Sequence, residues 1–278
     1  MRISFRLKQF IKLVLTITQK ILPESIVNSL LDSIFPLYKS ACRTIYLLRG
    51  KALSLFGKKN ELEMIYKVYE VMPYSLVGIG GLEVTYKLCK DLNRKKIKGN
   101  FVELGVAQGG CAALLSQVAF ETDSPEDREV WLFDSFEGLP APKDEDYIDG
   151  RTGEHIRPLP AGSCLGELDF VKNLLFSTFN LPEKKIHLVK GWFQDTLPST
   201  ANRVGEIALL RFDGDWYEST KICLENLYNQ VVSNGAIIID DYYSCYGCKK
   251  AVDEFIESNN LKANMNQDGR GGCYFIKP

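Results

Sequence analysis

The chain has 278 residues, with 34 Lys and Arg against 35 Asp and Glu, a net charge of −1 and a hydrophobic fraction of 45%. That length accommodates one large domain or a core with an extension, because single hydrophobic cores stop growing near it. The balanced charge offers no electrostatic footprint for a nucleic-acid partner, and the hydrophobic fraction is that of an ordinary globular protein.

Residues 1–22, MRISFRLKQFIKLVLTITQKIL, place Phe10, Val14, Ile17 and Ile21 on one helical stripe, with Arg6, Lys8, Lys12 and Lys20 around it. The apolar stretch is short, lysines interrupt it and no small-residue cleavage site follows, so an amphipathic helix is expected instead of an export signal. Such a helix packs on the main domain or on a second subunit, which makes a homodimer or higher homo-oligomer plausible. Contact with an anionic membrane surface is the alternative. Residues 30–92 keep helical spacing, broken at Gly50 and at 57–60, and end in a helix over 82–92 after a Gly-containing loop. Residues 1–95 therefore read as a helical extension and 96–278 as the main domain.

The main domain alternates strand and helix in the manner of a parallel sheet covered on both faces. Strands are expected at 100–104, 130–134, 186–190, 207–212 and 236–239, with a last one at 272–276. Helices are expected at 109–120, 165–180, 219–232 and 249–258. The polar, Pro- and Gly-rich segment 141–163 reads as a mobile lid. His155 within it is expected to be solvated and His187, inside a strand, structural. Eight cysteines lack the spacing of a disulfide scaffold, which suggests a reducing, cytoplasmic setting. Cys245 and Cys248 read as a turn opening a helix, with thiol or metal chemistry as the lesser alternative.

In an open α/β sheet, ligands bind outside the carboxyl ends of the strands. Aspartates gather there: Asp213 and Asp215 in LLRFDGDWYEST, Asp240 and Asp241 in AIIIDDYY. Such oxygen donors suit a hard divalent cation, and one can also take a proton. Asp215 has a competing structural reading as a cap or turn residue. The first strand leads into FVELGVAQGG, where Glu103 precedes a sharp turn at Gly105 and a helix opens near Gly109 and Gly110. The second ends at Asp134, placed to bond a ribose diol, and the third at Gly191, Trp192 and Phe193, which offer close approach and ring stacking. In order, these turns describe a pocket for an adenosine-like cofactor.

FVELGVAQGG, VWLFDSFEGLP, KGWFQDTLP, the LRFDGDWYEST run and GAIIIDDYYSCYGCKKAVDEF together resemble the macrocin O-methyltransferase family over residues 75–278. The resemblance implies an α/β class I S-adenosylmethionine-dependent methyltransferase fold, seven-stranded with the last strand antiparallel. It also implies Mg²⁺-dependent methyl transfer to a hydroxyl of a sugar or glycosylated natural product. Metal ligands then fall on Asp213, Asp240 and Asp241, with Asp213 also the general base. Cofactor contacts fall on Glu103, Leu104, Gly105, Asp134, Ser135, Phe136, Gly191, Trp192 and Asp213. The departures lie in the first hundred residues and in 141–163, so the acceptor does not carry over. Another vicinal diol such as a catechol, or a non-catalytic nucleoside-binding role, are the alternative readings.

Overall fold

The structure, a computed structural model, describes residues 24–54, 59–155 and 159–278. The expected amphipathic helix over 1–22, and with it any membrane contact, lies outside the described residues. The chain divides into two compact units, 1–65 and 66–278.

In the first unit, α1 (Glu24–Ser54) is a 31-residue helix. It continues through Gly50, a buried position where an added Cβ would stand 2.8 Å from the Ile65 Cγ2. Exposed Ile34, Leu37, Ile45 and Leu48 lie along it, whereas Tyr46 is buried. Helix α2 (Lys59–Val71) crosses the division and buries Met64, Ile65, Val68 and Val71 at spacings of three and four.

The second unit begins its core with α3 (Ile79–Arg94), which buries Leu82, Tyr86, Cys89 and Leu92 along one stripe. The sheet follows, with strands β1 (Asn100–Leu104), β2 (Val130–Asp134), β3 (Ile186–Lys190), β4 (Ile207–Phe212), β5 (Val231–Ile239), β6 (Asn266–Gln267) and β7 (Cys273–Ile276). Their spatial order is β3-β2-β1-β4-β5-β7-β6. β1 to β5 pair in parallel and β7 runs antiparallel to β5. This is the seven-stranded arrangement the sequence implied. Helices α4 (Gly110–Ala119), α5 (Leu168–Lys172, continued by a π-turn at Asn173–Thr178), α6 (Phe193–Val204), α7 (Tyr217–Leu227) and α8 (Tyr246–Ser258) complete it.

Every residue of β4 is buried, as a central strand requires, including the charged Arg211. Two elements differ from the expected set: the short edge strand β6 and a helix. Helix α6 occupies the stretch after Trp192, burying Leu197, Ala201 and Val204 although Pro198 lies inside it.

Residues 140–154, which open the expected lid, are tied down by hydrogen bonds. The buried carboxylate of Asp146 accepts from the backbone N–H groups of Tyr217 (2.7 Å) and Lys143 (2.8 Å). The Trp216 indole donates to the Pro140 carbonyl at 2.9 Å. Glu154 N–H bonds the Ser244 carbonyl, and Tyr246 N–H bonds that of Thr152.

Candidate active site

Backbone hydrogen bonds bring the strand ends to one rim. Gly105 N–H reaches Phe133 O (2.9 Å), Gly191 N–H reaches Asp134 O (3.0 Å), Asp213 N–H reaches Leu104 O (2.8 Å) and Asp240 N–H reaches Phe212 O (3.1 Å). Gly105, at φ +87°, could carry no side chain: an added Cβ would stand 1.8 Å from the Asp213 carbonyl oxygen. Apart from Glu103, the positions expected from sequence to bind cofactor or metal lie along this rim. Ala107, Phe136 and Asp215 there hold left-handed backbone, and such strain in non-glycine residues collects at ligand sites.

The expected cofactor contacts divide by what their side chains already do. Asp134 holds the β1 turn, accepting from Val106 N–H (2.7 Å) and Ala107 N–H (3.0 Å), and it accepts from Phe136 N–H (2.7 Å). Three of about four acceptor positions are thereby used, leaving one for a ligand hydroxyl. Ser135 Oγ accepts from Glu137 N–H and donates to the Gly138 carbonyl, which fixes the loop after β2. Leu104 buries its side chain in the core, so only its backbone is at the rim. Trp192 opens α6 as its N-cap and is half-buried. The first turn of α4 has no side-chain cap, which leaves backbone amides for a polar ligand. Glu103 differs from expectation. It is 1% exposed and bonds Arg211 at 3.1 Å, so its carboxylate lies beneath the rim within the sheet. Burial pushes it up to about 7, against the pull of Arg211.

Arg211 organises the acids. Its guanidinium, fully buried, bonds Glu103, Asp213 (3.1 and 3.2 Å) and Asp240 (2.6 Å). Arg270, in the loop between β6 and β7, holds the other Asp240 oxygen and donates to the Leu76 carbonyl. Asp268 fixes that loop by accepting from the N–H groups of Arg270, Gly271 and Gly272. Burial works to raise Asp240, but the Arg270 and Arg211 charges outweigh it and hold the carboxyl below its ordinary value.

The other three aspartates behave oppositely. Oxygens of Asp213, Asp215 and Asp241 lie within 4.8 Å of one another. Burial, then the charges of Asp240 and Asp241, push Asp213 well up. Burial and Asp213 push Asp215 up to about 7, and burial and Asp215 do the same to Asp241. Asp241 Oδ2 is buried without a hydrogen-bond partner. Three converging carboxylates with an orphaned oxygen fit a divalent cation, which would supply the missing positive charge. The group differs from the sequence expectation by one member: Asp215, given a structural reading, stands in it, and Asp240, expected as a ligand, has both oxygens on arginines. Asp213 is the most accessible of the four, with its side chain 24% exposed.

Two further side chains border the group. Cys164, at the end of the pinned segment, is pushed up to about 12 by burial and then by Asp215, Asp213 and Asp241. His155 is half-buried, not solvated, with Nε2 3.4 Å from the Cys245 sulfur. His187 is structural as expected, stacked on Trp131 with centroids 4.1 Å apart.

Residues 66–277 match the model of a family described as Macrocin-O-methyltransferase (TylF). The chain is 34% identical over 203 residues to demethyldecarbamoylnovobiocin O-methyltransferase of Streptomyces niveus, covering 73% of this chain and 75% of that one. It is 32% identical over 200 residues to 8-demethyl-8-(2,3-dimethoxy-alpha-L-rhamnosyl)-tetracenomycin-C 4'-O-methyltransferase of Streptomyces olivaceus, covering 71% and 74%. Among solved structures, the O-methyltransferase NovP is similar with a TM-score of 0.64 at 32% identity, over 73% of this chain and 82% of that one.

Proposed function

The chain belongs to the macrocin-O-methyltransferase family and is an S-adenosylmethionine-dependent O-methyltransferase; on that premise we propose that it methylates a sugar hydroxyl beside a divalent cation, Mg²⁺, held at the aspartate rim. The observation that carries the cation is the convergence of half-buried Asp213 with buried Asp215 and Asp241, where Asp241 Oδ2 lacks a hydrogen-bond partner. The sugar is supported by the relative whose name specifies a rhamnosyl substrate.

In this reading the methyl donor lies along the ends of β1 to β3. The backbone of residues 103–105 passes close to it, Asp134 takes a ribose hydroxyl on its remaining acceptor position, and Ser135 and Phe136 shape the loop beneath. Gly191 allows close approach and Trp192 lines the side. Methyl transfer from a sulfonium is an in-line displacement, so the protein's main task is to hold the acceptor oxygen against the methyl and remove its proton. A bound Mg²⁺ would raise the acidity of a sugar hydroxyl and stabilise the developing alkoxide. Asp213, Asp215 and Asp241 hold the cation, and Asp213, the most exposed, also takes the proton as general base. Asp240, which the family resemblance makes a ligand, in our reading anchors Arg211 and Arg270 and so positions Asp213 and Asp241 on either side. The pinned segment 141–163 borders the acceptor.

The test is methyl transfer by the purified protein with and without chelator, beside Asp213→Asn. Loss of turnover in both, with S-adenosylhomocysteine binding retained, is expected. Full activity of Asp213→Asn, or indifference to chelator, overturns the cation and base assignment.

A further inference from the structure

A second convergent group adjoins the oxygen trio. His155, Asp215 and Cys245 each offer one ligand atom, all within 4.8 Å of one another. Three separate segments supply them: the pinned loop, the turn after β4 and the N-cap of α8. The Cys245 sulfur lies 3.4 Å from Asp215 Oδ1 and 3.4 Å from His155 Nε2. Zinc bonds of about 2.3 Å to sulfur and about 2.0–2.1 Å to nitrogen or oxygen, set tetrahedrally, separate such ligand atoms by about 3.5 Å. Both edges that leave the thiol already have that length.

The backbone fixes each ligand. Gly153 forms an isolated β-bridge with Cys245, and a Cβ there would stand 2.0 Å from the Ser244 carbonyl oxygen and 2.9 Å from His155 Nε2. The absent side chain is what lets the imidazole reach the thiol. Cys245 is 1% and Asp215 7% exposed, so neither samples many rotamers. Mixed N, S and O donors select borderline ions such as Zn²⁺, whereas the neighbouring all-oxygen trio suits Mg²⁺.

We propose that His155, Asp215 and Cys245 form a second, softer metal site that takes Zn²⁺ and shares Asp215 with the oxygen trio. Binding replaces the Cys245 S–H bond with a metal–sulfur bond, and the proton leaves to solvent. Three protein ligands leave a fourth position open to water. Because Asp215 is shared, zinc there draws a donor away from the trio and slows methyl transfer even with Mg²⁺ saturating.

The experiment is a Co²⁺ titration of the full-length protein in excess Mg²⁺, with Co²⁺ as the spectroscopic stand-in for zinc. One equivalent should give thiolate-to-cobalt charge-transfer absorption that Zn²⁺ bleaches. Cys245→Ser should abolish the band, and His155→Ala should weaken Co²⁺ binding tenfold or more without changing the fold. No band in the unmodified protein, a band that survives Cys245→Ser, or unchanged affinity in His155→Ala overturns the site. Should Cys245→Ser not fold, the His155→Ala affinity alone decides. The readout is independent of turnover, so failure here leaves the transferase reading standing.

Discussion

At the scale of single residues, four aspartates on one rim are driven in opposite directions by what faces them. Against burial, Arg270 and Arg211 hold Asp240 below its ordinary value, while burial and then the neighbouring carboxylates raise Asp213, Asp215 and Asp241. Neutralising the first should therefore cost stability and neutralising one of the others should not. Asp240→Asn leaves Arg211 buried with less compensation and is expected to lower unfolding free energy by about 3 kcal/mol. Asp213→Asn should leave the ion-free protein at least as stable while cutting turnover by about 10²- to 10⁴-fold, the usual contribution of a general base. Denaturant unfolding and initial rates on the two variants check both. The presence of aspartates here was legible in the sequence. Their division was not, because Asp240's partners, Arg211 and Arg270, are about thirty residues away on either side, one brought in by the β4–β5 pairing and the other by the loop between β6 and β7.

The same residues set a pH dependence. Asp215 and Asp241 are raised from 3.8 to about 7, so between those values the folded, ion-free protein holds protons that the unfolded chain has released. Its stability should fall as pH rises through that window. Mg²⁺ displaces those protons, so its affinity should rise over the same range. Thermal melts at pH 5 and pH 8 should show a larger Mg²⁺-induced increase in Tm at the higher pH. An equal increase at both would contradict the raised values.

Among elements, strands were more legible than the segments between them. Short apolar runs such as IALLRF suit strands buried on both sides, and the strands at 100–104, 130–134 and 207–212 lie where expected. Helix α6 is poorly legible because Pro198 and the polar Ser, Thr and Asn around it mask the buried stripe of Leu197, Ala201 and Val204. The segment 141–163 misled in the other direction. Its composition is that of a solvated loop, but one buried carboxylate, Asp146, ties it to α7. Asp146→Ala removes two backbone caps and should cost about 1–2 kcal/mol. It should also open the segment to limited proteolysis while S-adenosylhomocysteine still binds. Unchanged resistance to protease would show that the other contacts suffice.

For the whole molecule, the family match begins at residue 66, where the second unit also begins. That unit holds the complete sheet and every residue assigned to donor, cation and proton transfer. A chain starting at Lys59, which keeps α2 whole, should therefore unfold cooperatively and bind S-adenosylhomocysteine. The choice of acceptor is less accessible from sequence, since the motifs that carry the family resemblance are those of the donor turns and the aspartate rim.

The most direct test of the account is transfer of labelled methyl from S-adenosylmethionine to a panel of rhamnosides and catechols, in Mg²⁺ and in chelator, with the product located by NMR. Label on a sugar oxygen, abolished by chelator and restored by Mg²⁺, is the expected result. Label on catechols alone, or on sugars regardless of chelator, would contradict it.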